Sequence, residues 1–274
     1  MQPSQEIYDS ANRPPVLIEE IQALIKYKDL VQQTISRSIK TRYKRSALGV
    51  VWSMLNPLLT MVVMAIVFSS IFRFSVEYYP VYILSGLLIW NLFSTTTSGA
   101  MADMLFNGTL ITRIYVPKSI FSVASVGAGL VNFLLSLIPL LLIAIALGLP
   151  FTPALLVTPF AILIVAVFSL GVSLLLSTIT VFFADMLPVY QVLLTIWFYG
   201  TPVFYPIEII PAELLWLLKL NPMYYMLELF RQPLLTGDVP ELSFWLIAAG
   251  WALLAMIAGS IIFTSKSNEY AYRV

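Results

Sequence analysis

Chemistry needs ionisable or nucleophilic groups in company, and this sequence keeps its few such groups apart. Asp103, Asp185 and Glu208 each stand near the end of an apolar stretch rather than at its centre, and Asp103 and Asp185 are isolated. Paired carboxylates at a membrane face, which a membrane-embedded polyprenyl or glycosyl transferase needs, often as metal ligands, are therefore missing. No histidine and no cysteine occurs among the 274 residues. That excludes a Ser–His arrangement, a thiol nucleophile, a disulfide framework and a His-ligated metal. No G-x-x-x-x-G-K-[ST] phosphate loop is present either, so any nucleotide chemistry belongs to another polypeptide.

Charges at the centre of a bilayer cost about 2.5–3.5 kcal/mol each on insertion scales and mark ion or proton paths. The apolar stretches here carry none at their centres, which argues against both ion-gradient-driven movement and intramembrane hydrolysis. What they do carry is aromatic. Trp197, Phe198, Tyr199, Phe204, Tyr205, Trp216, Tyr224 and Tyr225 crowd one region, and Tyr78, Tyr79 and Tyr82 join them on the same side. Two readings stay open for these rings: an interfacial belt, or a lining whose apolar faces and hydroxyls suit sugar rings.

The elements that must position them are membrane spans. Hydrophobic residues make up 59% of the chain and charged ones 11%, against roughly 45–50% and 25% in soluble domains. There are too few charges to cover a water-facing surface. A helix crossing a hydrocarbon core of about 30 Å needs about 20 apolar residues. Six stretches meet that need: Leu48–Phe72, Tyr79–Ser98, Ile120–Leu147, Pro153–Val181, the shorter Leu187–Phe204, and Phe244–Phe263. The expected fold is all-α and integral to a membrane, with spans within residues 47–264 between a polar tail (1–16), an interface helix (17–46) and a C-terminal tail (265–274).

Residues 207–235 break the pattern. Ile209–Leu220 and Met223–Leu235 are each too short to span and are divided by Asn221-Pro222, where proline removes a donor and restricts its predecessor. One kinked seventh span is possible in principle; a re-entrant hairpin fits the charges better. With a cytoplasmic N-terminus, twelve of the lysines and arginines fall inside and only Arg73, Lys219 and Arg231 outside. A seventh span would move Lys266 and Arg273 out. Six spans place both termini in the cytoplasm.

Two cytoplasmic segments could meet a partner. Along residues 17–45, Leu17, Ile21, Leu24, Val31, Ile35, Ile39 and Tyr43 share one helical arc, while Lys26, Arg37, Lys40 and Lys44 lie opposite. That pattern suits a helix lying on anionic lipid, with Lys28 and Arg42 snorkelling out of the apolar arc. It serves as a topology anchor or, in addition, as a docking surface. The loop 103–118 predicts a short helix at Thr109–Tyr115 between Asn107-Gly108 and Pro117, either a plain connector or a lever on the spans.

The run Arg42-Tyr43-Lys44-Arg45-Ser46-Ala47-Leu48-Gly49-Val50-Val51-Trp52-Ser53-Met54-Leu55-Asn56-Pro57-Leu58 resembles the start of type-2 ABC exporter permeases, in the group that exports O-antigen, capsular polysaccharide or teichoic acid. Thr201-Pro202-Val203-Phe204-Tyr205-Pro206 and Leu220-Asn221-Pro222-Met223 are similar to two further stretches of that family. Ala184-Asp185 departs from its common Arg-Asp. The resemblance implies a homodimer in a bacterial inner membrane, working with two copies of a separate ABC ATPase, as part of O-antigen or lipopolysaccharide biosynthesis. It implies a channel at the dimer interface for an undecaprenyl-linked polysaccharide. ATP and Mg would be bound by the partner, with no cofactor, catalytic residue or metal in this chain, and no nucleic acid. By the same resemblance, Arg37, Arg42, Asn107, Leu110, Ile111, Arg113, Pro117 and Lys118 would couple to the ATPase. Trp52, Tyr199, Phe204, Tyr205, Asn221, Pro222, Tyr224, Tyr225, Glu228 and Arg231 would form the channel or its outer gate. A type-2 permease for drugs or small lipophiles is the competing expectation.

Overall fold

The computed structural model describes residues 16–44, 46–70, 76–106, 117–266 and 269–270. Every regular element among them is helical. In chain order these are α1 (Val16–Lys26), α2 (Lys28–Arg42), α3 (Val51–Ser70), α4 (Tyr79–Phe106), α5 (Ile120–Ala146), α6 (Thr158–Phe182) and α7 (Met186–Tyr199). There follow α8 (Leu215–Leu220), α9 (Pro222–Leu235) and α10 (Leu242–Lys266), with 3₁₀ turns at Pro153–Val157, Ile207–Ile209 and Ala212–Leu214.

Four helical stretches are long and apolar enough to cross a membrane: Val51–Phe68, Ile120–Ala146, Pro153–Phe182 and Leu242–Lys266. Two of the six expected spans differ from these in build. α4 is about 42 Å long at 1.5 Å per residue, but Ser94-Thr95-Thr96-Thr97-Ser98 dilutes its apolar character. α7 has 14 residues, about 21 Å as helix.

α4 is the hub, and its mixed composition explains why. From Val81 to Trp90 it is buried throughout, and it packs against α3, α5, α6, α7 and α9. Lipid tails are as apolar as leucine, so the helix that goes to the centre is the one whose small and hydroxylated residues gain most from close neighbours. Thr96 and Thr97 bond back to Leu92 and Phe93 carbonyls of their own helix, which satisfies them in place. α3 is the opposite case: only 11% of its apolar window is buried, and Leu59, Val62, Val63 and Ile66 face outward.

The single helix expected over 17–45 is divided at Tyr27, whose backbone (φ −100, ψ 25) leaves helical geometry. The bend has a packing reason. Leu24, Tyr27, Leu30 and Val31 lie against a small core formed by Met104, Ile120, Phe121, Phe263 and Tyr270. Beyond the bend Ile35 sits over Gly127 of α5, where a Cβ would collide with it. The apolar arc therefore covers protein as well as facing outward.

Candidate functional site

Two polar constructions interrupt this apolar body, one at the Tyr79 end of α4 and one along its other half.

The first begins with a chain that cannot satisfy itself. Between α7 and α8 the segment through Pro202 and Pro206 is not regular helix, so its carbonyls need donors from elsewhere. Side chains supply them. Tyr79 Oη donates to Phe204 O (2.6 Å), Tyr82 Oη to Tyr205 O (2.8 Å) and Tyr205 Oη to Tyr199 O (2.9 Å). Arg231, 1% exposed, donates through Nη1 to Pro202 O (2.6 Å) and through Nη2 to Val203 O (2.6 Å) and Tyr82 O (3.2 Å). Its guanidinium carbon lies 3.8 Å from the centre of the Tyr82 ring, and Glu228 one turn earlier stands 3.8 Å from Nη1.

Asn221 holds the adjoining helix break. Its Oδ1 accepts from Met223 N (3.0 Å), capping α9, and from Trp197 Nε1 (2.8 Å), while Nδ2 donates to Thr201 Oγ1 (2.9 Å) and Gly200 O (3.2 Å). Pro222 at the first helical position suits the helix start. Asn221→Leu removes the cap and orphans two donors, and is expected to cost about 2 kcal/mol. Asn221→Asp keeps both accepting contacts but turns an oxygen toward the Gly200 carbonyl in place of a donor, so thermal unfolding should rank it below the wild type and above Asn221→Leu. Equal midpoints for Asn221→Leu and the wild type would dismiss the account.

Of the expected gate residues, Phe204, Tyr225, Asn221 and Arg231 are buried in this construction. Tyr205, Pro222, Tyr224 and Glu228 are half-buried. Tyr199 is 59% exposed. Most of the aromatic hydroxyls here are engaged with backbone, and Tyr225 Oη likewise donates to Lys219 O (2.9 Å).

The second construction was not legible as a site in the sequence. A cleft of about 440 Å³ runs between α2, α3, α4 and α5, lined by Trp52, Ser53, Asn56, Asn91, Asn132 and Ser136 among others. A lobe of about 300 Å³ continues it toward the Met104 end of α4, past Thr41, Gly99, Asp103 and Ser125. Arg42, Thr95 and Gly129 line both. Thus Trp52 and Arg42, expected in different roles, share one wall.

The three amides behave differently. Asn132 Oδ1 accepts from Tyr43 Oη (3.2 Å), tying α5 to the end of α2. Ser136 Oγ is shared between Ser53 O (2.8 Å) and Asn132 O (2.9 Å), and Ser125 Oγ donates to Asp103 Oδ2 (2.9 Å). The side-chain amides of Asn56 and Asn91 have no hydrogen-bond partner among the described residues, although both sit on helices of apolar build. An amide moved from water to hydrocarbon without a partner costs roughly 4–8 kcal/mol. This wall is made for water or for a polar occupant, not for lipid.

At the Met104 end, four segments meet near Tyr270. Its hydroxyl is 2.6 Å from Thr178 Oγ1 on α6, its ring touches Phe263 of α10, and the Lys118 ammonium lies 5.2 Å over it. Glu20 of α1 accepts from Ser119 N (3.2 Å), just after Pro117 and Lys118. Burial lowers the Lys118 pKa from its ordinary value, and the Glu20 carboxylate pulls the other way. Of the expected coupling residues, Pro117 is buried here, Arg37 and Arg42 are exposed on α2, and Asn107, Leu110, Ile111 and Arg113 lie outside the described residues.

Both constructions fall within the stretch that known proteins share. The model of a family described as ABC-2 type transporter matches residues 29–235. The O-antigen export system permease protein of Myxococcus xanthus is 31% identical over 257 residues, covering 93% of this chain and 99% of that one. An O-antigen export system permease protein of Klebsiella pneumoniae is 25% identical over 246 residues (89% and 94%). A polysialic acid transport protein of Escherichia coli is 24% identical over 248 residues (88% and 95%).

Proposed function

The chain belongs to the ABC-2 type transporter family, and from that premise we propose that it is the membrane subunit of an exporter of lipid-linked polysaccharide, driven by a separate ATPase. In this reading α3, α4, α5, α6, α7 and α10 are the six spans. α8 and α9 form the re-entrant hairpin on the outer side, and both termini are cytoplasmic. Two copies pair so that their grooves face a common channel, flanked by two ATPase subunits at the Met104 end.

The observation that carries the proposal is the groove. The amides of Asn56 and Asn91, without partners among the described residues, line it with hydroxyls and an exposed Trp52, whereas a path for lipophiles would be expected to be apolar throughout. α3, so poorly buried in one copy, supplies surface for a second. With no phosphate loop in the chain, the energy must enter mechanically. The route proposed runs from the ATPase into the segment before Pro117 and into α2. From there it passes through the Lys118–Tyr270 contact and the Glu20–Ser119 bond to α1, α5, α6 and α10 together.

ATP-dependent movement of polysaccharide into inverted vesicles carrying both subunits tests this. Tyr270→Ala is expected to lower export per ATP hydrolysed roughly tenfold, the scale of an inter-site coupling of about 1–3 kcal/mol, with the ATPase still bound. Unchanged coupling would remove the tail contact from the route. Vesicles that hydrolyse ATP and move no polysaccharide even with the wild-type chain would sink the export reading itself.

A further inference from the structure

We propose that the 440 Å³ cleft is a binding station for one or two rings of an uncharged sugar, with Asn56 and Asn91 as its recognising groups; this rests on the permease reading above. Polar side chains between membrane helices usually act as glue, bonding from one helix to the next. Asn132 does this with Tyr43. Asn56 on α3 and Asn91 on α4 do not, and they face the same cleft as Trp52. Each carboxamide offers two donors and an acceptor. A sugar hydroxyl needs both kinds, so a pair of free amides on opposing helices can hold adjacent hydroxyls. Trp52, 44% exposed, presents an aromatic face to the ring's C–H side, and the volume lies within the range of about 300–1,000 Å³ seen for small-molecule sites.

Charge sets the selectivity. Among the described residues no carboxylate lines the 440 Å³ cleft, and the one cation that does, Arg42, stands where the cleft joins the inner lobe. Asp103 appears only in that lobe. A neutral ring therefore meets full hydrogen-bonding capacity at Asn56 and Asn91. An acidic sugar placed there would have Arg42, at the junction with the inner lobe, as its counter-charge and none beside Asn56 and Asn91, so that desolvating its charge at the amides is costly. The station should hold a chain between strokes by its neutral residues.

The absence of cysteine permits a direct test on the complex with its ATPase in lipid nanodiscs. Thr95→Cys puts one thiol on the wall, at an exposed position whose hydroxyl bonds, among the described residues, to Asn91 O of its own helix. The rate of modification by a water-soluble thiol reagent is then followed with and without maltohexaose, and with trigalacturonic acid as the charged comparison. Maltohexaose is expected to slow labelling at least roughly fivefold, the trigalacturonate clearly less, with the protection lost when Asn56→Leu and Asn91→Leu are added. Rapid labelling that maltohexaose does not slow, or slows equally after both asparagines are replaced, overturns the station and leaves the permease reading standing. No labelling at all shows the wall to be closed to water, and both fall.

Discussion

Arg231→Met is expected to lower the thermal unfolding midpoint of the solubilised protein by roughly 10 °C and to abolish export. The side chain is almost wholly buried and supplies donors to three backbone carbonyls on two separate segments. Methionine fills much of the volume but donates nothing. Pro202, Val203 and Tyr82 would then keep unsatisfied carbonyls, at least in part, and Glu228 would lose its cation. Removing one partner from such a buried set costs about 3–5 kcal/mol, and in a chain of this size each kcal/mol shifts the midpoint by about 2–4 °C. Arg231→Lys should recover less than half of the loss, because a single ammonium cannot fork to carbonyls on different strands of chain. Gly86 provides a test from the other side. A Cβ there would run into Arg231 Nη2 and lie 2.7 Å from Val203 O, so Gly86→Ala should reproduce a large part of the defect without touching the arginine. Wild-type midpoints for both variants would mean that the buried guanidinium does not hold this end together.

This end of the molecule also shows where sequence reading stops. The break at Asn221-Pro222 is legible, because proline cannot continue the preceding helix and asparagine caps the next one. The crowd of aromatics is equally plain, and a belt or a sugar-facing lining is a fair expectation for it. What the order of residues does not reveal is that Pro202 and Pro206 open a non-helical stretch whose carbonyls claim those hydroxyls one by one. For Tyr79 and Tyr82 the carbonyl that each meets is decided by α4, more than a hundred positions earlier. The division at Tyr27 was illegible for a related reason: neither proline nor glycine marks it, and it follows the shape of a core built from distant segments. The groove is different. Its signal was present, since Asn56, Asn91 and Asn132 each stand in a stretch of apolar build. Weighing only charged groups passes over them, although a neutral amide without a partner is nearly as informative in that setting. The apolar spans themselves were the easy part, and four long apolar helices answer to them.

Gly171→Leu is expected to have the second large effect, a loss of most folded protein. α6 and α10 share the most extensive contact of any two helices described here, yet α10 is otherwise poorly covered, with 22% of its apolar window buried. In lipid no hydrophobic gain draws two such helices together, so close backbone approach must do it. Gly171 and Gly259 are where that approach occurs. A Cβ on Gly171 would meet the Ala255 carbonyl and the Met256 amide, and one on Gly259 would meet the Gly171 carbonyl. These are backbone atoms, so no side chain can swing aside; the helices themselves would have to part. Overpacking inside a core costs about 1–3 kcal/mol, and here the displacement would propagate along the whole crossing. Gly250 on the same helix has open space where its Cβ would be, and Gly250→Leu should be recovered at wild-type yield. Because Gly171 and Gly259 touch one another, Gly171→Ala and Gly259→Ala should combine non-additively. Size-exclusion recovery after solubilisation reads the four single variants and the Gly171→Ala/Gly259→Ala double. If Gly171→Leu and Gly250→Leu behave alike, the crossing is not what joins α10 to the bundle, and the burden shifts to the contacts of α10 with α9 and to Tyr270 at its far end.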